Sequence, residues 1–86
     1  MNEYQVIFAT SAQKELEALP NEVISRIYIK IKALAVEPRP DGCKKLKGQP
    51  NCWRIRVGDY RVIYSVDDDS YIIEITTVCH RSKAYR

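Results

Sequence analysis

With 86 residues, 45% of them hydrophobic, the chain has room for one domain (1–86) and one modest core. No apolar run reaches the roughly 18–20 residues of a membrane span, and the N-terminus lacks the basic, apolar, small-residue order of a signal peptide. A cytoplasmic protein without membrane attachment is therefore expected. The formal net charge of +3 is unevenly spread: residues 1–42 hold five basic and six acidic side chains, residues 43–86 nine and five.

Three cysteines, Cys43, Cys52 and Cys79, show no CxxC spacing. Even with His80 beside Cys79, neither a disulfide framework nor a metal site is expected, and nothing points to a small-molecule cofactor.

The first element is a short strand over 4–8, with Tyr4, Val6 and Phe8 on one face. Thr10 as N-cap and Gln13 three residues on predict a capping box and a helix from about Ser11 to Ala18. Ala12, Leu16 and Leu19 form its buried stripe. Pro20 suits the first position of a second helix, where Val23, Ile27, Ile31 and Leu34 make one apolar row, flanked by Ile24, Tyr28 and Ala35. Arg26, Lys30 and Lys32 sit mostly away from that row, and Pro38 and Pro40 end the helix by Glu37. Residues 39–51 read as a basic loop carrying Lys44, Lys45 and Lys47.

The stretch WRIRVGDYRVIY, Trp53–Tyr64, then alternates, breaks at Gly58-Asp59 and alternates again, the pattern of a hairpin closed by a type II′ turn. That register sets Val57 against Tyr60, Arg56 against Arg61 and Ile55 against Val62. Trp53, Ile55, Val57, Tyr60, Val62 and Tyr64 share a core face, while Arg54, Arg56 and Arg61 share the other. Like charges directly opposed cost roughly 0.2–1 kcal/mol, so a face holding three arginines reads better as a polyanion site than as solvated surface. Arg61→Ala should then leave folding stability within about 0.5 kcal/mol. A second turn at Asp67–Ser70 leads to a β-prone strand over 71–78. Plain alternation puts Ile73 and Ile75 in the core, and Glu74, Thr76 and His80 on the arginine face. The expected fold class is α+β: an N-terminal strand, two packed helices, then an antiparallel three-stranded meander forming one sheet.

The run KKLKGQPNCWRIRVGDYRVIYSV, with the closing VCHRSKAYR, resembles the RelE/ParE superfamily of toxins from bacterial type II toxin–antitoxin pairs. Element order and length agree over essentially the whole chain. The KLKG-x-P-x-C lead-in, and the tyrosine that follows Arg81, look closer to the RelE branch. RelE-like toxins share a fold with small microbial ribonucleases and cut mRNA in the ribosomal A site; ParE-like toxins poison DNA gyrase. The resemblance therefore implies a ribosome-dependent mRNA endoribonuclease without a metal, partnered by a RelB-like antitoxin and acting on ribosome and mRNA. A gyrase inhibitor without catalysis and a non-catalytic nucleic-acid-binding module are the alternatives. Carried over by position, the functional residues fall on Arg54, Arg56, Arg61, Arg81 and Tyr85. Ribosome-dependent members have lysines where this chain has Arg54 and Arg56. Arginine is not deprotonated in proteins, so a base role does not transfer to either.

Cutting RNA without a metal needs a base near the 2′-hydroxyl, positive charge at the transition state and an acid for the departing 5′-oxygen. The four arginines can supply the charge. His80 and Tyr85 are the candidates for proton transfer. Lys44, Lys45 and Lys47 are candidate RNA contacts.

Overall fold

The computed structural model describes residues 3–83. The elements are β1 (Gln5–Phe8), α1 (Thr10–Glu17), α2 (Asn21–Leu34), β2 (Lys44–Lys45), β3 (Cys52–Val57), β4 (Tyr60–Asp67) and β5 (Ile72–His80), followed by one 3-10 turn, Arg81–Lys83. The five strands make a single mixed sheet in the order β1-β5-β4-β3-β2. Three of them, β3 to β5, form the antiparallel meander expected from the sequence. The sheet is nevertheless wider than three strands plus a separate leader. β1 joins it parallel to β5, and Lys44–Lys45, expected in a loop, pairs antiparallel with Trp53 and Arg54.

The helices cover one face of this sheet. Ala12 and Leu16 from α1, and Ile27, Ile31 and Leu34 from α2, are buried against Val62, Tyr64, Val66, Ile73 and Ile75. The hairpin register is the one the alternation dictates. Trp53, Ile55 and Val57 stand opposite Tyr64, Val62 and Tyr60 on the helix side, and Arg56 stands opposite Arg61 on the other. Of the two loop residues, Gly58 alone takes a positive φ (+58°), as a II′ turn requires at its first position.

The helix starts differ from expectation. The N-cap of α1 is Ala9, with no side-chain cap; Thr10 is already helical, and the Gln13 amide bonds the Glu17 carboxylate at 3.0 Å instead of closing a capping box. Pro20 is the N-cap of α2 rather than its first residue, within the ordinary fuzziness of helix ends.

Strand β5 departs from simple alternation. Its register against β4 slips between Ile63 and Tyr64: Tyr64 faces Ile75 while Ile63 faces Thr77, so Thr76 is an extra residue, a β-bulge. The Thr76 hydroxyl donates to the Ile63 carbonyl at 3.1 Å. One extra residue inverts every side chain beyond it. Val78 is therefore core, Cys79 faces Arg61, and His80 faces Tyr60 on the helix side.

The outer edge of β5 loses its partner where β1 ends at the Phe8–Ile75 pair. There α1 supplies a substitute: the Val78 amide donates to Glu15 Oε1 at 2.9 Å. Without that acceptor the amide turns to water on an open edge. Glu15→Ala should lower stability by about 1 kcal/mol, and Glu15→Gln, which keeps an acceptor, by less. Urea melts of the three proteins measure both.

Candidate functional site: a guanidinium face and its cleft

Pairing places two rows of side chains across the face that the helices leave open. Lys44, Arg54 and Ile63 make one row; Arg56, Arg61 and Cys79 make the next. Arg56 is exposed, but Arg61 is only 5% exposed. The Arg61 guanidinium folds back onto the hairpin turn, where Nη1 donates to the carbonyls of Gly58 (3.1 Å) and Tyr60 (2.9 Å). A buried guanidinium held by two carbonyls has a fixed direction, the preorganisation an anion site needs. The ion pairs among the described residues, Arg39–Asp68 and Arg81–Asp59, engage neither Arg56 nor Arg61. The Arg61–Glu74 pair that the arginine face could have held does not form: Glu74 faces Ser65, five residues along β5 from the partner of Arg61.

Arg81 stands at the tip of the same hairpin. Its amide donates to the Asp59 carbonyl at 2.7 Å, and Nε lies 3.7 Å from the Asp59 carboxylate. Both side chains are well exposed, so this long pair contributes little to the fold and yields readily to a better anion.

A cleft of about 440 Å³, which Arg81 does not line, wraps the edge of β3 between α2 and the 40–42 loop. Lys30, Lys44, Arg54, Arg56 and Arg61 all border it. Lys30 lies on the flank of α2 and was not among the residues expected at the site. Its signal was there in the basic i, i+4 pair Arg26 and Lys30, but only the packing of α2 beside β3 brings that row to the site. Arg26 continues it to the turn, its Nη1 3.9 Å from where a Cβ on Gly58 would stand.

The loop that forms the far wall is tied down by a clasp. Arg39 pairs with Asp68 at 2.6 Å and stacks 5.2 Å from the Trp53 ring centroid, while the Tyr4 hydroxyl donates to the same carboxylate at 2.6 Å. The hydrogen bond from Tyr4, and then that from Arg39, hold the Asp68 carboxyl below its ordinary value. Beneath them the buried Tyr64 hydroxyl donates to the Pro38 carbonyl at 2.7 Å.

Not every expected residue joins the cleft. Lys45 opposes Trp53 on the helix side, with Nζ 5.9 Å from the ring, and Lys47 is exposed in a turn. His80 is carried by the bulge away from the arginines. Its ring packs edge-on against Tyr60 (centroids 5.6 Å apart), and the Ser82 amide lies 3.2 Å from Nδ1. With Nδ1 accepting there, the neutral ring carries its proton on Nε2. The place expected for His80 is taken by Cys79. Burial, and then the charge of Glu15, push its thiol above its ordinary value while Arg61 and Lys83 pull the other way. Tyr85 lies outside the described residues.

Two helices on one face of a mixed sheet, and opposed guanidinium groups on the other, define a small α+β protein with a strongly cationic sheet face. The model of the ParE toxin family of type II toxin–antitoxin systems matches residues 6–85. The toxin RelE3 of Methanocaldococcus jannaschii is 33% identical over 85 residues, covering 94% of each chain. Two solved structures have the same fold: the archaeal RelE–RelB complex of Pyrococcus horikoshii (TM-score 0.83, 33% identity, 95% of this chain and 99% of that one) and the intact Escherichia coli RelBE complex (0.80, 28%, 90% and 95%). The chain belongs to the RelE/ParE superfamily of toxins, on the RelE side.

Proposed function

We propose that this protein, as one toxin domain spanning 1–86, cuts mRNA in the ribosomal A site and so stops translation in the cytoplasm. The observation that carries the reading is Arg61, buried and aimed by two carbonyls, directly opposite Arg56 and with no carboxylate partner among the described residues. Such a pair is unfavourable for folding and useful to a bound phosphate. In the step it would serve, a 2′-oxygen attacks the adjacent phosphorus and the 5′-oxygen departs. Negative charge on the phosphoryl oxygens is greatest between the two events, and Arg54, Arg56, Arg61 and Arg81 supply the countercharge that a metal supplies elsewhere.

Tyr85 is left to take the 2′-hydroxyl proton, while the ribosome holds the strand in line and solvent returns a proton to the departing 5′-oxygen. His80 has no geometric claim to that task, because the bulge sets it across the sheet. His80→Gln should accordingly leave the single-turnover rate within about threefold of the parent, well short of the roughly 10²–10⁴ lost with a proton-transfer group, whereas Tyr85→Phe should show the full loss.

A RelB-like antitoxin is the partner, as in the neighbouring RelE–RelB complexes. Its acidic side chains would neutralise the arginine face. Its apolar ones would cover Tyr28, Ile29 and Val36, which are 42%, 67% and 70% exposed.

The ParE description of the matching family keeps gyrase in view as a target. Purified protein added to a translating extract, with primer extension on the message and a parallel supercoiling assay, separates the readings. Position-specific cuts with supercoiling intact support cleavage. Arrested supercoiling with intact mRNA would replace it with gyrase inhibition, and neither effect would leave a binding module.

A further inference from the structure

The cleft is not uniformly basic. Beside its cations, Ala33 and Leu34 of α2, Pro40 and Ile55 give it an apolar wall. Among the described residues lining it, Asp41 is the carboxylate, and it is exposed beside Gly42. Gly42 adopts φ +91°, and a Cβ there would meet nothing within 4 Å, so that side of the mouth is open to a ligand. A site for phosphate alone needs neither an apolar wall nor a carboxylate, which repels phosphate. A nucleotide uses all three: cations for its phosphate, an apolar wall for the face of its base, and a polar group for the base edge.

We propose that this cleft seats one unpaired base of the RNA strand against Ala33 and Pro40, and that Asp41 selects which base enters. The proposal rests on the RNA-cleaving reading for its biological setting, but the binding itself does not require cleavage. An ionised carboxylate only accepts hydrogen bonds. Guanine alone among the four bases presents two adjacent donors, N1–H and N2–H, at a spacing that matches two carboxylate oxygens. Adenine and cytosine offer one amino group beside a ring nitrogen acceptor, which opposes the second oxygen. Uracil offers one N–H between two carbonyls. The chemistry therefore points to guanine, its phosphate lying toward Arg56 and Arg61.

The test is a titration of the isotopically labelled full chain with GMP, AMP, CMP and UMP, followed by amide chemical shifts. GMP should shift the amides of Ala33, Gly42 and Ile55 saturably and bind at least about tenfold more tightly than UMP. Asp41→Asn should abolish that difference, and Arg56→Ala should weaken all four nucleotides alike. Equal affinities in the parent, a guanine preference that survives Asp41→Asn, or shifts confined to other amides would each overturn the proposal. The titration uses no ribosome, so a failure to cleave mRNA and a failure of the base site give separate results.

Discussion

Arg61→Ala should cut ribosome-bound mRNA at least about 100-fold more slowly than the parent in single-turnover assays, because a preorganised guanidinium matters most as charge develops on the phosphate. The fold should pay a smaller cost. The variant loses two charge-assisted hydrogen bonds, to Gly58 and Tyr60, of a kind that contributes about 1.5–3 kcal/mol. Two effects offset this: Gly58 sits in an exposed turn where water reaches its carbonyl, and removing Arg61 relieves its opposition to Arg56, about 0.2–1 kcal/mol. A net loss of about 1 kcal/mol follows. It is larger than alternation alone predicted, and far below the roughly 3–5 kcal/mol that stranding a buried carboxylate would cost. Arg61→Lys keeps the charge but not the fork, so it should recover stability better than rate. A near-parental rate in Arg61→Ala, measured well below its melting temperature, would remove Arg61 from the chemistry.

Tyr64→Phe should be the costlier change for the fold. The side chain is fully buried, and its hydroxyl is the donor that satisfies the Pro38 carbonyl. The phenylalanine variant leaves that carbonyl buried without its partner, a loss of about 1–3 kcal/mol at neutral pH. A pH signature distinguishes this cause from simple repacking. Burial pushes the Tyr64 hydroxyl above its ordinary value of 10.0, so the folded protein keeps a proton that the unfolded chain gives up. The unfolded state then binds fewer protons, and stability falls as pH rises. The contribution from Tyr64 is whole below about pH 10 and is lost above it, so urea melts of parent and variant should converge in strongly alkaline buffer. A constant gap at all pH values would mean that the hydroxyl titrates normally. Because Pro38 leads into the wall of the cleft, the same variant should also weaken nucleotide binding.

What could be read in advance follows a physical division. The hairpin from Trp53 to Tyr64 was legible to the residue, since period-two alternation and a glycine turn leave one register that turns all six core-side residues to the helices, Ile55, Val57, Val62 and Tyr64 buried and Trp53 and Tyr60 packed partly buried against them. The α2 row was equally plain, with Ile27, Ile31 and Leu34 all buried. The bulge at Thr76 was hidden because two β-prone threonines in succession carry no local mark of which is the extra one. That single insertion moved His80 across the sheet and set Cys79 beside Arg61. β2 was hidden because two residues have no period, and Lys44–Lys45 reads as strand only once the turn over 46–51 returns the chain to Trp53. Lys30 and Asp41 entered the cleft through packing alone, since neither lies near the arginines in sequence.

Ribosome dependence is tested most directly by offering one mRNA to the purified protein twice at equal concentration, once naked and once positioned in the A site of programmed ribosomes, and mapping the 3′ ends. With charge stabilisation built into the sheet but few groups for proton transfer, the expected result is rapid, codon-positioned cleavage on the ribosome and little on naked RNA. Equally efficient cutting of the naked strand would contradict this, and so would ribosome-bound mRNA that stays intact.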